Sequence, residues 1–140
     1  MRYYLDTNII AFILFDKNLE DNCDRNVCNI LFDYENIFCV SSIALRELVK
    51  LYNDRELKSI KYKSHKDLFS FVDELNYQIK PFTKQHVMTY AQLDIAPDHK
   101  DPSDHMIIAQ AISDKIPIIS SDRKFKLYER QGLQFVFNKR

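Results

Sequence analysis

Three times in this chain an apolar, strand-like run ends in a short polar cluster where a helical pattern begins: Leu5-Asp6-Thr7-Asn8, Val40-Ser41-Ser42 and Ile119-Ser120-Ser121-Asp122. Strands joined through helices lie parallel, and an open parallel sheet turns all its carboxyl ends to one edge, where ligands bind. Two clusters bring a carboxylate to that edge, and the third starts a helix that carries Glu47. A fourth acid, Asp104, starts a further helix. Like charges about 4 Å apart repel by about 4 kcal/mol at an effective dielectric of 20, so convergence of the four would require a cation. Oxygen ligands with no cysteine nearby suit Mg2+ or Mn2+.

The spacing predicts the remaining elements. Arg2 to Leu5 reads as a strand and Ile9 to Phe15 as a helix apolar on all sides. Residues 20–34 place Val27, Ile30, Leu31 and Tyr34 on one helical face, and Ile37 to Val40 is a second strand. Ser41 or Ser42 should cap a helix from Ile43 to about Tyr52, with Leu45, Leu48, Val49 and Tyr52 inward. A basic stretch over residues 53–66 reads as a projecting helical arm. A helix over 66–75, a strand near Gln78 to Pro81 and a helix from Thr83 to about Leu93 follow. Asp101-Pro102-Ser103-Asp104 is a strong start for a mostly buried helix reaching about Asp114. Pro117 to Ile119 is a short central strand, Asp122 or Ser121 caps a helix to about Arg130, and Leu133 to Phe137 closes as a strand. Helices alternating with short apolar strands give an α/β sandwich, mainly parallel, with helices on both faces.

Composition narrows the function. At 140 residues the chain fits a single domain over 1–140. Its one glycine, Gly132, argues against glycine-rich phosphate loops. Cys23, Cys28 and Cys39 lack zinc or redox spacing, and no secretory signal or transmembrane-length run is visible, so a reduced cytoplasmic protein with no membrane role is expected. Twenty basic and twenty acidic residues balance, so any polyanion must be gripped locally.

Taken singly, each acid has a plain explanation. Asp6, Asp104 and Asp122 sit at or near helix starts, where a carboxylate caps amides for about 0.3–1 kcal/mol. Asp104 strains that explanation because Ile107, Ile108 and Ala111 share its face, so it heads an apolar stripe. Glu47 lies at the margin of a buried arc between Ile43 and Leu51, with Arg46 or Lys50 as its simplest partners.

The residues together resemble the PIN-domain family, with the nearest likeness to VapC-type ribonuclease toxins of type II toxin–antitoxin pairs. The likeness rests on Asp6-Thr7-Asn8 after the first strand, Ser42 to Leu48 with Glu47, His99-Lys100-Asp101-Pro102-Ser103-Asp104 before Ile107-Ile108-Ala109-Gln110-Ala111, and Ile119-Ser120-Ser121-Asp122 before Phe125. It implies a PIN-like three-layer sandwich and an Mg2+- or Mn2+-dependent endoribonuclease whose metal-binding, catalytic quartet is Asp6, Glu47, Asp104 and Asp122. Thr7, Asn8 and Ser120 are then supporting polar groups and Asp101 an extra acid. A cognate antitoxin and a homodimer are also implied. His105 stands where many relatives carry arginine, and Ser120 where threonine is common.

For RNA, the expected contacts are Arg46, Lys50, Lys61, Lys63 and Arg123, with Lys100 near the pocket and Tyr62 and His65 interleaved with the basic residues of the arm. The alternative for the basic arm is a solvated helix face. His99 and His105 read as rim or capping residues, with a transition-metal site the lesser alternative; His65 and His86 carry no signal. Tyr3, Tyr4, Phe12, Phe15, Phe69 and Phe71 read as core or self-association surface. Two other classes compete. A phosphoacceptor module wants adjacent acids after its first strand, where Thr7 follows Asp6, and a catalytically silent PIN-like scaffold would not need all four acids.

Overall fold

A computed structural model describes residues 1–16, 18–54 and 62–140. Five strands, β1 (Arg2–Leu5), β2 (Ile37–Ser41), β3 (Gln78–Lys80), β4 (Ile118–Ser120) and β5 (Phe135–Phe137), form one sheet in the order β3-β2-β1-β4-β5, with every pairing parallel. The helices are α1 (Thr7–Phe15), α2 (Arg25–Phe32), α3 (Ser42–Asn53), α4 (His65–Glu74), α5 (Lys84–Gln92) and α6 (Pro102–Asp114), with short 3-10 turns at Leu19–Asp21 and Arg123–Gln131.

From β1 the chain steps outward to β2 and β3, then returns to place β4 on the other side of β1. Right-handed crossovers therefore put the helices before β3 on one face and those after it on the other, which makes three layers. The β1–β4 boundary is the switch point of the sheet, where a crevice opens at the carboxyl ends. Asp6 leaves β1 and Ser120 ends β4 at that boundary, with Leu5 in register with Ile119.

Alternation along β1 and β2 sorts their side chains. Tyr3 stacks beside Phe38, with ring centres 6.2 Å apart, while Tyr4 and Ser41 point to α6. The Tyr4 hydroxyl donates to Asp114 Oδ2 and accepts from Gln110 Nε2, and Ser41 Oγ donates to Gln110 Oε1 at 2.6 Å. Thr83 N–H donates to His86 Nδ1, so His86 Nε2–H donates to Asp114 Oδ1 at 2.8 Å. Asp114 at the carboxyl end of α6 opposes the helix dipole, and these donors offset it. His86, without signal in the sequence, ties α5 to α6.

Several expectations need correction. The predicted helix over 20–34 begins only after Asp24, whose carboxylate caps Val27 N–H, and ends at Asp33; Tyr34 lies beyond it and is 95% exposed. α1 is buried at Ile9, Ile10 and Leu14 and half-buried at Phe12 and Ile13, so it is not enclosed on all sides. The segment after Asp122 is a 3-10 turn, closed by Gly132 at φ 103°. Of the basic arm, residues 55–61, including Lys61, lie outside the described residues. Tyr62 belongs to the core: it is buried, donates to Leu14 O at 2.7 Å, and meets Phe15 and Phe71 edge-on. Tyr62 is therefore a packing residue and not a substrate rim, whereas His65 is exposed, with Nε2 2.6 Å from Asn53 Oδ1.

Candidate active site

Asp6 ends β1 and caps α1, with Oδ1 accepting from Thr7 N–H at 2.7 Å. Its other oxygen, Oδ2, accepts from Ser120 Oγ at 2.6 Å and Asn8 Nδ2 at 3.2 Å, across the β1–β4 switch point. Asn8 also accepts from Ser121 N–H, and Ser120 Oγ accepts from Asp122 N–H. The four residues Asp6, Asn8, Ser120 and Asp122 are thus one hydrogen-bonded unit. Thr7 Oγ1 is buried with no partner among the described residues, a hydroxyl that needs a water or an ion.

Asp122 caps the 3-10 turn with Oδ1 on Lys124 N–H, leaving its second oxygen for other contacts. Asp104 lies in the first turn of α6, half-buried, but caps nothing; Asp101 performs that role through Ser103 N–H at 3.0 Å. Asp101 is exposed. Glu47 Oε1 accepts from Ser103 Oγ at 2.8 Å and from Arg46 Nη1 at 3.0 Å, so α3 is tied to the start of α6. The pairing of Glu47 with Arg46 occurs as anticipated.

The acids act on one another. Burial first, then the charge of Asp104 and, more weakly, Asp122, pushes Asp6 up to about 7. Asp104 is also pushed up to about 7, by burial and then by the charges of Asp101, Asp122 and Glu47. Carboxyls held at this level lack a counter-charge.

His99, expected to rim the cleft or cap a helix with a transition-metal site as the lesser alternative, is 3% exposed and bonds Asp104. Burial lowers its pKa, so the ring is neutral. Its Nε2–H donates to Asp104 Oδ2 at 3.0 Å, which leaves Nδ1 to accept from the Tyr128 hydroxyl at 2.8 Å; that hydroxyl in turn accepts from Ala96 N–H. Ligand atoms of His99, Asp104 and Asp122 lie within 4.8 Å of one another. The signal was present in the sequence, five residues before Asp104, but nothing there showed that Tyr128 would fix the tautomer. His105 is buried and donates from Nε2 to His99 O at 2.6 Å, so it shapes the loop that carries His99.

The donor set fits a hard divalent ion. It offers carboxylate oxygens from separate elements and a net negative field, with the imidazole committed to orienting Asp104. Arg46, Lys50 and Met106 line a cavity of about 590 Å3 against Glu47 and Ser103. Arg123 follows Asp122 directly, while Lys63 is exposed and adjoins Tyr62 at the end of α1, about 12 Å of helix from Asp6.

The PIN domain family model matches residues 3–131. Among solved structures the chain is similar to VapBC2 from Rickettsia felis bound to a DNA fragment from their promoter, at 21% identity and TM-score 0.67, covering 99% of this chain and 100% of that one. It is similar to DNA-bound VapBC from Salmonella typhimurium at 19% identity and TM-score 0.65, covering 98% of each chain. The PIN domain endonuclease Utp24 matches at 18% identity and TM-score 0.53, over 99% of this chain and 86% of that one. No curated protein matches in sequence. The structural likenesses are of fold, whereas the family match runs over nearly the whole chain, from β1 through the turn after Asp122: the chain belongs to the PIN-domain family.

Proposed function

We propose that this chain is an endoribonuclease that hydrolyses RNA phosphodiesters with Mg2+ or Mn2+ held by Asp6, Glu47, Asp104 and Asp122, and that it is the toxin of a toxin–antitoxin pair. One observation carries the reading: ligand atoms of Asp104 and Asp122 lie with His99 within 4.8 Å of one another at the carboxyl edge of a parallel sheet, and Asp6 and Glu47, outside that group, are near enough to interact electrostatically with Asp104. Asp104 feels the charge of Glu47 and Asp122, and Asp6 that of Asp104 and Asp122. The PIN domain endonuclease among the structural neighbours supports nuclease chemistry, and the VapBC neighbours support an antitoxin partner; a cytoplasmic location and a homodimeric form belong to the same proposal.

Bound among these acids, a divalent ion supplies a water of lowered pKa and neutralises charge on the phosphoryl and leaving oxygens. The residues do the rest. Ser120, Asn8 and Thr7 N–H fix the Asp6 carboxylate, and the Tyr128–His99 pair fixes one oxygen of Asp104 and leaves the other free. The uncommitted oxygens of Glu47 and Asp122 would hold the ion directly or through its waters. Asp101 adds negative field from the helix start. Arg46, Lys50 and Arg123 hold substrate phosphates beside the acids, with Lys63 a more distant contributor and Lys61 a contributor on the sequence alone.

The test is cleavage of an RNA pool in Mg2+ or Mn2+ by wild type and Asp104→Asn. Wild type should cut and the variant should lose at least about a hundredfold in rate. Equal cutting by both would remove the mechanism, and no cutting by wild type would leave a silent scaffold. Expression without a partner should arrest bacterial growth; harmless expression at full soluble level counts against the toxin reading.

A further inference from the structure

Beyond the acids, on the far side of Asp122, two cavities adjoin along β5. The first, of about 410 Å3, opens at Ser121 and runs over Arg123, Phe137, Lys139 and Arg140. The second, of about 440 Å3, shares Arg123, Phe137 and Lys139 and continues over Lys126 and Phe135. Each falls in the size range of small-ligand sites. Four cations border the pair and only one acid, Glu129, although the chain as a whole is neutral.

The aromatic rings are set by the sheet. Phe135 and Phe137 lie two residues apart on β5 and so share a face, with ring centres 6.0 Å apart, and both are half-buried. The Arg123 guanidinium lies over Phe137 at 5.7 Å. The floor is rigid where it meets the site. Asn138, buried, donates to Ser121 Oγ and Asn22 O and accepts from Asp24 N–H, while Lys139 N–H donates to Asp24 Oδ2. Half-exposed rings interleaved with cations along a fixed groove suit a single strand, whose bases stack and whose phosphates pair without sequence readout.

We infer that the β5 edge, from Ser121 through Phe137 to Lys126, is a binding track for single-stranded RNA, holding nucleotides that flank the bond presented to the acids. The inference rests on the ribonuclease reading for its substrate class, and its location follows from the cavities, cations and rings. The track lies on β5, an edge strand of the sheet.

The test uses the full chain carrying Asp104→Asn, so that RNA survives, and fluorescence anisotropy with an oligouridylate of about ten nucleotides and an abasic strand of equal phosphate count. The pair Lys126→Ala and Lys139→Ala should lower the slope of log affinity against log salt by about 0.7 per cation removed. The pair Phe135→Leu and Phe137→Leu should keep the slope, lose about fivefold or more in affinity for oligouridylate, and bind the abasic strand like the parent. The lysines are exposed, so their variant folds whatever becomes of the aromatic one, and melting curves verify both. Unchanged affinity and slope in the lysine variant overturn the track, as does a parent that prefers polyglutamate to RNA, which would assign the groove to an acidic protein. With Asp104 restored, the lysine variant should raise KM and leave kcat. Retained RNA binding in a chain that never cleaves would refute the nuclease reading alone, and cleavage at unaltered KM would refute the track alone.

Discussion

Asp104→Asn should make the metal-free protein more stable, and the gain should depend on pH. In the folded chain Asp104 is raised from 3.8 to about 7, first by burial and then by neighbouring acids. A raised carboxyl means that the folded state binds the proton more tightly than the unfolded one. Its penalty is therefore absent below about pH 4, grows as pH rises from 3.8 towards 7, and is complete above that. Three units correspond to about 4 kcal/mol at pH 8, and roughly half of that survives if solvent relaxes around the partly open carboxylate. The amide still offers an oxygen to His99 Nε2–H, so the hydrogen bond at 3.0 Å can persist. For a chain of this length about 2 kcal/mol raises Tm by roughly 6 °C. Scanning calorimetry in chelator should show the variant melting several degrees above wild type at pH 8 and about level with it at pH 4. Saturating Mg2+ should reverse the order, because at a hundred times its Kd an ion adds about 2.7 kcal/mol to wild type only. A metal-free variant that melts at or below wild type at pH 8, or a gap that ignores pH, would refute the idea that these acids strain the empty fold.

Tyr128→Phe removes the hydroxyl that accepts from Ala96 N–H and donates to His99 Nδ1; divalent affinity by titration calorimetry should fall about tenfold or more while far-UV dichroism is unchanged. Asn138→Ala strands Asn22 O, Asp24 N–H and Ser121 Oγ at once, and urea unfolding should show a loss of about 2–4 kcal/mol. Gly132→Ala meets no closer atom than Ile112 Cγ2 at 3.6 Å, so its cost, about 1 kcal/mol by the same assay, comes from φ 103° and not from a clash.

Where the sequence spoke through local chemistry it was legible. The junctions at Asp6, Ser41 and Asp122 carry both the strand end and the cap, and all three caps form. Asp101-Pro102 likewise fixes the start of α6. The failures share a different cause. Tyr62 sits among lysines and looks solvated, yet its ring fills a gap left by Phe15 and Phe71, contacts far away in sequence. His99 looked like a rim residue because its partner Tyr128 lies 29 positions on, beyond β4. Residues 20–34 keep a helical period throughout, but Asp24 offers a better start and cuts the first turn off. Periodicity reports which face is apolar, whereas burial of a polar ring depends on what the sheet order brings beside it.

The plain and the catalytic explanations of the acids turn out to use different atoms of the same side chain. A carboxylate has two oxygens, and a helix start needs only one. Asp122 gives Oδ1 to Lys124 N–H, and Asp6 gives Oδ1 to Thr7 N–H, so each acid is oriented by its own backbone before any ligand arrives. At Asp122 the cap leaves the second oxygen uncommitted, whereas the second oxygen of Asp6 is held by Ser120 and Asn8 across the switch point. Asp104 has no amide to cap, because Asp101 already holds that place. It requires an outside constraint, and His99 with Tyr128 provides one. Removing that constraint should therefore disorder Asp104 alone, leaving Asp6 and Asp122 aimed as before, a distinction that carboxyl chemical shifts of the Tyr128→Phe variant would resolve.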